Sequence, residues 1–174
     1  MKKILLYHPT GNQNVRALLD ALYDSKTLHS FHTTIAVFSQ SFYYPFLKGP
    51  FKKVKRRTFS NYISKYVKQY PILELAMMAG MKKYKGQVLN GSSINKILAY
   101  NVAKFLHQNH NQVDGVFGYP FGSEPIFQEA KKYGIKCIYE QTTGYYKTLK
   151  KITQKEKQIN KDWASSISIY EEPQ

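Results

Sequence analysis

Apolar residues in this chain fall in short unbroken runs, separated by polar turns and by stretches of helical spacing. Ile4 to Tyr7 is the first run, closed on one side by two lysines and on the other by His8-Pro9. Such a run has the form of a strand buried on both faces of a parallel sheet. In GNQNVRALLDALYD (11–24) the apolar Val15, Leu18, Leu19 and Leu22 share one helical face, and Asn12 or Asn14 can cap it. HTTIAVFS (32–39) is rich in β-branched residues and predicts the second strand, joined to the first by a right-handed crossover.

Pro45, Gly49 and Pro50 interrupt the pattern. A helix is predicted over about 58–70, ended by Pro71, and ILELAMMAGM (72–81) continues as another, before a turn at 87–91. Ser92 or Ser93 then caps an amphipathic helix with Ile94, Ile97, Leu98, Val102, Phe105 and Leu106 on one stripe. VDGVFGYP (113–120) reads as a strand, and Gly122-Ser123-Glu124-Pro125 opens a helix, with the serine as its cap, that stops at Gly134. IKCIYE (135–140) is the next strand, 141–144 a turn and 147–159 a polar helix. Alternation of this kind builds an α/β fold: a Rossmann-like three-layer α/β/α domain with a mainly parallel sheet. One domain is expected over 1–174, with 42–91 as a basic, aromatic, helical insertion.

Charge changes the picture because it is unevenly placed. The formal net charge is +15, and residues 25–113 hold fourteen Lys and Arg against the single acid Glu74. Within that half, Lys52, Lys53, Lys55, Arg56 and Arg57 are interleaved with Phe46, Phe51, Phe59, Tyr62, Tyr66 and Tyr70. Cations mixed with rings suit an anionic lipid surface. They also suit nucleic acid, the alternative reading being a non-enzymatic Rossmann-like module that binds a polyanion, or a solvated helix whose rings face the core. The lone Cys137 allows no intrachain disulfide and reads as a buried thiol in a reducing compartment. The apolar run after MKK is too short for a signal peptide, and no stretch reaches the length of a membrane span. A cytoplasmic protein, or one on the face of a membrane, is expected.

In an open parallel sheet ligands gather beyond the carboxyl ends of the strands. Three turns lie there: HPTGNQN (8–14), GYPFGSE (118–124) and EQTTGYY (140–146). The first can hold a phosphate or a sugar at a helix N-terminus through Gly11, Asn12 and Asn14, yet it is neither G-x-G-x-x-G nor a Walker loop. In the second, Tyr119 and Glu124 stand beside another helix start. The third sets Glu140 among Gln141, Thr142, Thr143 and Tyr145, a carboxylate with amides, hydroxyls and rings, which is sugar-binding chemistry. The five histidines have no zinc-site spacing and there is no G-x-S-x-G elbow.

The stretch DGVFGYPFGSEPIFQEAKKYGIKCIYEQTTGYYKTLKKITQKEKQINKDWA (114–164) resembles the N-terminal domain of bacterial retaining glycosyltransferases of GT-B architecture, the large family that includes sucrose, capsule and lipopolysaccharide glycosyltransferases. The opening KILLYHPTGNQNVRALLDAL is similar to that family's first strand and turn, with one glycine where many members have more. The resemblance implies an acceptor-binding half that works with a C-terminal domain, which holds the nucleotide-sugar donor; no cofactor is expected in this chain. By that likeness Gly11 and Asn12 face the donor diphosphate, and the turn after residue 139 lines the site of a saccharide or lipid-linked acceptor. Where family members often carry a histidine at a strand end, this strand ends in Glu140-Gln141, which leaves Glu140 as the candidate for stabilising charge at the donor sugar. The same likeness favours membrane docking over nucleic acid for the basic aromatic segment.

Overall fold

The computed structural model describes residues 2–120, 122–141 and 145–166. The chain clusters into two compact units, Met1–Glu140 and Gln141–Gln174. The first is the α/β fold. Its sheet is built from β1 (Ile4–Tyr7), β2 (Leu28–Thr33), β3 (Val67–Gln69), β4 (Gly115–Gly118) and β5 (Lys136–Tyr139), all parallel, in the order β3-β2-β1-β4-β5. That is the Rossmann order, in which the winding reverses between β1 and β4.

Alternation along β1 assigns the two faces. Leu6 points to the side of α1 (Gln13–Asp24) and packs with Val15, Leu19, Leu28 and Phe31. Leu5 and Tyr7 point the other way, into a core made with Leu98, Val102 and Leu106 of α3 (Gly91–Asn109) and Ile126 and Ala130 of α4 (Ser123–Lys132). Helices therefore cover both faces, and the three-layer fold read from the alternation is the one formed. The second unit consists of α5 (Tyr146–Ile159) and a 3₁₀ turn at Lys161–Trp163.

Several elements differ from their sequence reading. The second strand begins four residues earlier than expected, where its polar residues satisfy one another inside the fold, and breaks after Thr33; the expected stretch resumes as strand only at Val37–Phe38, paired in parallel with Thr58–Phe59. Ser30 Oγ lies 3.0 Å from His32 Nε2, and His32 Nδ1 3.0 Å from Tyr70 Oη. The helix expected over 58–70 is instead a 3₁₀ turn at Asn61–Tyr66 followed by the edge strand β3. Phe59, Ile63 and Val67 pack against the Leu6 side of the sheet, and that anchorage holds the segment down without helical spacing. The 42–91 region is thus part sheet edge and part 3₁₀, with one short α-helix, α2 (Ile72–Met78). After α2, Lys83–Tyr84 and Gln87–Val88 pair as an antiparallel hairpin around Lys85-Gly86, both at positive φ, as a two-residue hairpin turn requires. Asn90, not Ser92 or Ser93, caps α3: its Oδ1 accepts from Ser93 N (2.8 Å) while Ser93 Oγ accepts from Asn90 N (3.0 Å). Ser123 does not cap α4; its hydroxyl donates back to the Tyr119 carbonyl at 2.6 Å.

Candidate functional site

In open α/β sheets ligands are received beyond the carboxyl ends of the strands where the winding reverses, here between β1 and β4, and the residue after each strand stands at that position. His8 follows β1 and Tyr119 follows β4. Their rings meet edge to face, with centroids 4.9 Å apart and planes at 84°. Glu140 follows β5, where its N–H donates to Gly118 O at 3.0 Å. Three parallel strands in register thus deliver a histidine, a phenol and a carboxylate in one row.

Each group has a defined state. His8 Nδ1 accepts from the N–H groups of Thr10 (3.1 Å) and Gly11 (2.8 Å), so the ring proton resides on Nε2. Burial, and then the Arg57 charge, lower its pKa to about 4, and the ring is neutral at ordinary pH. Tyr119 is only 3% exposed and its hydroxyl has no hydrogen-bond partner among the described residues. Burial first, and then the Glu140 carboxylate nearby, hold that phenol well above its usual pKa. Glu140 is close enough for its charge to be felt but does not make a well-formed hydrogen bond to the hydroxyl, and it is half-buried.

The turn after β1 is fixed from two sides. Arg16 of α1 donates through Nε to Gly11 O at 3.2 Å, reaches Arg56 O at 3.2 Å and Thr58 O, and stacks over Phe59 at 4.3 Å. Arg57 donates to Pro9 O at 3.1 Å and to Thr34 Oγ1 at 2.9 Å, and makes an ion pair with Glu74. Gly11 sits at φ +61 with its α-carbon against Phe59, so a β-carbon there would fall on that ring. Asn12 caps α1, its Oδ1 accepting from Val15 N at 2.9 Å.

The sequence-predicted residues divide accordingly. Gly11, Tyr119 and Glu140 belong to the strand-end row and its supporting turn. Asn12 spends its side chain on the cap, and Asn14 is exposed on the first turn of α1. Glu124 lies exposed on α4, where its Oε1 accepts from Gln128 Nε2 at 3.1 Å. Gln141 and Tyr145 belong to the second unit, both exposed, and Thr142 lies outside the described residues. Of the five cations assigned to a membrane surface, Lys52, Lys53 and Arg56 are exposed, and Lys55 sits 4.9 Å above the Tyr44 ring. Arg57 is a correction: the buried Glu74 and the Pro9 carbonyl hold it inside the fold, so it is a structural cation. His8, Arg16 and Glu74 are the residues that the sequence reading passed over. For His8 the signal was available, since it is the first residue beyond the first strand.

Among the described residues, no three His, Cys, Asp or Glu side chains converge to hold a metal ion. Comparison of the chain with protein-family models, with curated proteins and with solved structures finds no match in any of the three.

Proposed function

We propose that residues 1–140 are the acceptor-binding, Rossmann-like half of a glycosyltransferase, with saccharide hydroxyls received in the β1/β4 crevice. One observation carries the reading: a buried Tyr119 hydroxyl without a partner among the described residues, beside His8 and Glu140, at the winding reversal of the sheet. An unsatisfied buried hydroxyl costs about 1–3 kcal/mol. A ligand hydroxyl set against it recovers that energy.

The character of the three groups selects the ligand. A neutral histidine with its proton on Nε2 donates, a carboxylate accepts, and a phenol does either. That set matches the alternating donors and acceptors of a sugar. It does not match a phosphate, which Glu140 repels and which a neutral His8 does not attract. In this reading the nucleotide-sugar donor is held by a second α/β domain across the crevice, and Glu140 stabilises the positive charge that develops on the transferred sugar.

Titration of the protein with mono- and oligosaccharides, followed by saturation-transfer NMR, tests the proposal against inorganic phosphate and nucleoside diphosphates run in parallel. Saccharide binding is expected, and Tyr119→Phe and Glu140→Gln should each weaken it by about tenfold, a loss of about 1.4 kcal/mol. Binding of phosphate or diphosphate alone, indifferent to both substitutions, would refute it.

A further inference from the structure

Residues 25–113 contain a single acid, and that acid, Glu74, is buried against Arg57. Every ionic side chain this half presents to solvent is consequently a cation. Part of the same surface is aliphatic. The start of α2, the hairpin and the first half of α3 enclose a groove of about 480 Å³, walled by Tyr70, Ile72, Tyr84, Ile97 and Leu98, with Lys85 on its side. Ile97 also borders a neighbouring hollow of about 330 Å³ shared with Val88 and Lys96, so the two form one continuous face. Ile72 is 63% exposed and Val88 55% exposed, and Leu75 and Met81 are open to solvent on the same stretch of chain. Lys82, Lys83, Lys85 and Lys96 are all exposed.

Two properties must be matched at once by whatever covers this face. The cations, with no exposed acid among them, call for an anionic surface. The branched aliphatic side chains call for an apolar interior just beneath that surface. Nucleic acid supplies the first property only, because its bases bind flat rings by stacking and offer nothing to Ile72 or Val88. A bilayer with anionic headgroups supplies both: lysine stems lie along the apolar layer while their ammonium groups reach the phosphates.

We infer that this face docks on an anionic lipid bilayer, with Ile72 and Val88 entering the acyl boundary and Lys85 and Lys96 meeting the headgroups. The docking surface lies on α2, the hairpin and α3, apart from the Lys52–Arg57 run to which composition alone directs attention. It does not rest on the saccharide reading.

The test is flotation of the full chain with phosphatidylcholine vesicles, with and without about 30% phosphatidylglycerol. Binding is expected only with the anionic lipid. The double substitution Lys85→Gln, Lys96→Gln should lower partitioning by roughly fivefold per lysine. Ile72→Ser with Val88→Ser should lower it by about tenfold; both side chains are exposed, so an unchanged thermal melt is expected. A Val88→Trp variant on a Trp163→Phe background should show blue-shifted emission quenched by brominated acyl chains. Absence of binding to the anionic vesicles overturns the inference. So does binding that the aliphatic pair leaves unchanged, or single-stranded RNA displacing the vesicles while the emission of the introduced indole never shifts. Saccharide titration of the same variants should match that of the unaltered chain, which separates failure here from failure of the crevice reading.

Discussion

Replacing Glu74 with alanine should be among the most damaging single changes available in residues 42–91. Its carboxylate is paired with Arg57, the two side chains being 9% and 20% exposed, and Arg57 in turn holds Pro9 O at the start of the first turn. Removing one member of a buried ion pair leaves the other charge desolvated and unpaired, which costs about 3–5 kcal/mol. Because Arg57 keeps some access to water, the lower end applies, about 3 kcal/mol. At about 2–4 °C per kcal/mol for a chain of this size, Glu74→Ala should lower Tm by about 6–12 °C. Circular dichroism melts and urea titrations of Glu74→Ala, Arg57→Met and the Arg57→Met, Glu74→Leu double variant complete the test. The double variant should lie closer to the parent than either single one does, since two apolar groups of similar volume leave no stranded charge. A Glu74→Ala protein within about 1 kcal/mol of the parent would refute the claim that this pair anchors the basic segment.

Three further outcomes are expected. His32 is fully buried with a folded-state pKa of about 3 against 6.5 for an ordinary histidine, and His8 stands at about 4. The unfolded chain therefore takes up protons first as pH falls, so the stability these rings contribute is complete above about pH 6.5 and drains away toward pH 3; urea midpoints should show His32 alone accounting for on the order of 3 kcal/mol of that loss by about pH 4. Gly11→Ala should destabilise by about 2 kcal/mol or more in the same titrations, since it combines a left-handed backbone at φ +61 with a β-carbon set on the Phe59 ring; a neutral result would mean the turn relocates freely. Tyr119→Phe should leave Tm unchanged or raise it, by up to about 1 kcal/mol of added stability, because the hydroxyl it deletes has no partner among the described residues.

The fold was legible wherever buried apolar residues fell in unbroken runs or at helical spacing. Ile4–Tyr7, α1, the α3 stripe, Gly115–Gly118 and Lys136–Tyr139 all follow from runs or helical spacing of hydrophobic side chains. What stayed hidden was burial achieved by polar groups that satisfy one another, and apolar burial in segments without regular spacing. Ser30 and His32 disguise β2, and the run of cations and tyrosines before β3 resembles a helix face because nothing in spacing shows that Phe59 and Ile63 are tied to a distant strand. The site divides the same way. Strand ends located Gly11, Tyr119 and Glu140, whereas Arg57 looked like one more surface cation until the pairing with Glu74, seventeen positions away, gave it a different role.

The sheet order has a consequence in time. The central strand β1 is made before the other strands of its sheet, but its neighbour on one side is β4, and the contact that seals this pairing, Lys3 N donating to Asp114 Oδ2 at 2.7 Å, spans 111 residues. At about 5–20 residues per second, a ribosome needs roughly 6–22 s to supply that partner. Throughout that interval β1 can pair only with β2, and one of its edges remains open beside a nascent chain whose charge is almost entirely positive. Like charges on neighbouring chains repel, and flanking charge is what keeps an open strand edge from pairing with another chain, so the basic half is suited to guarding β1 until β4 is made.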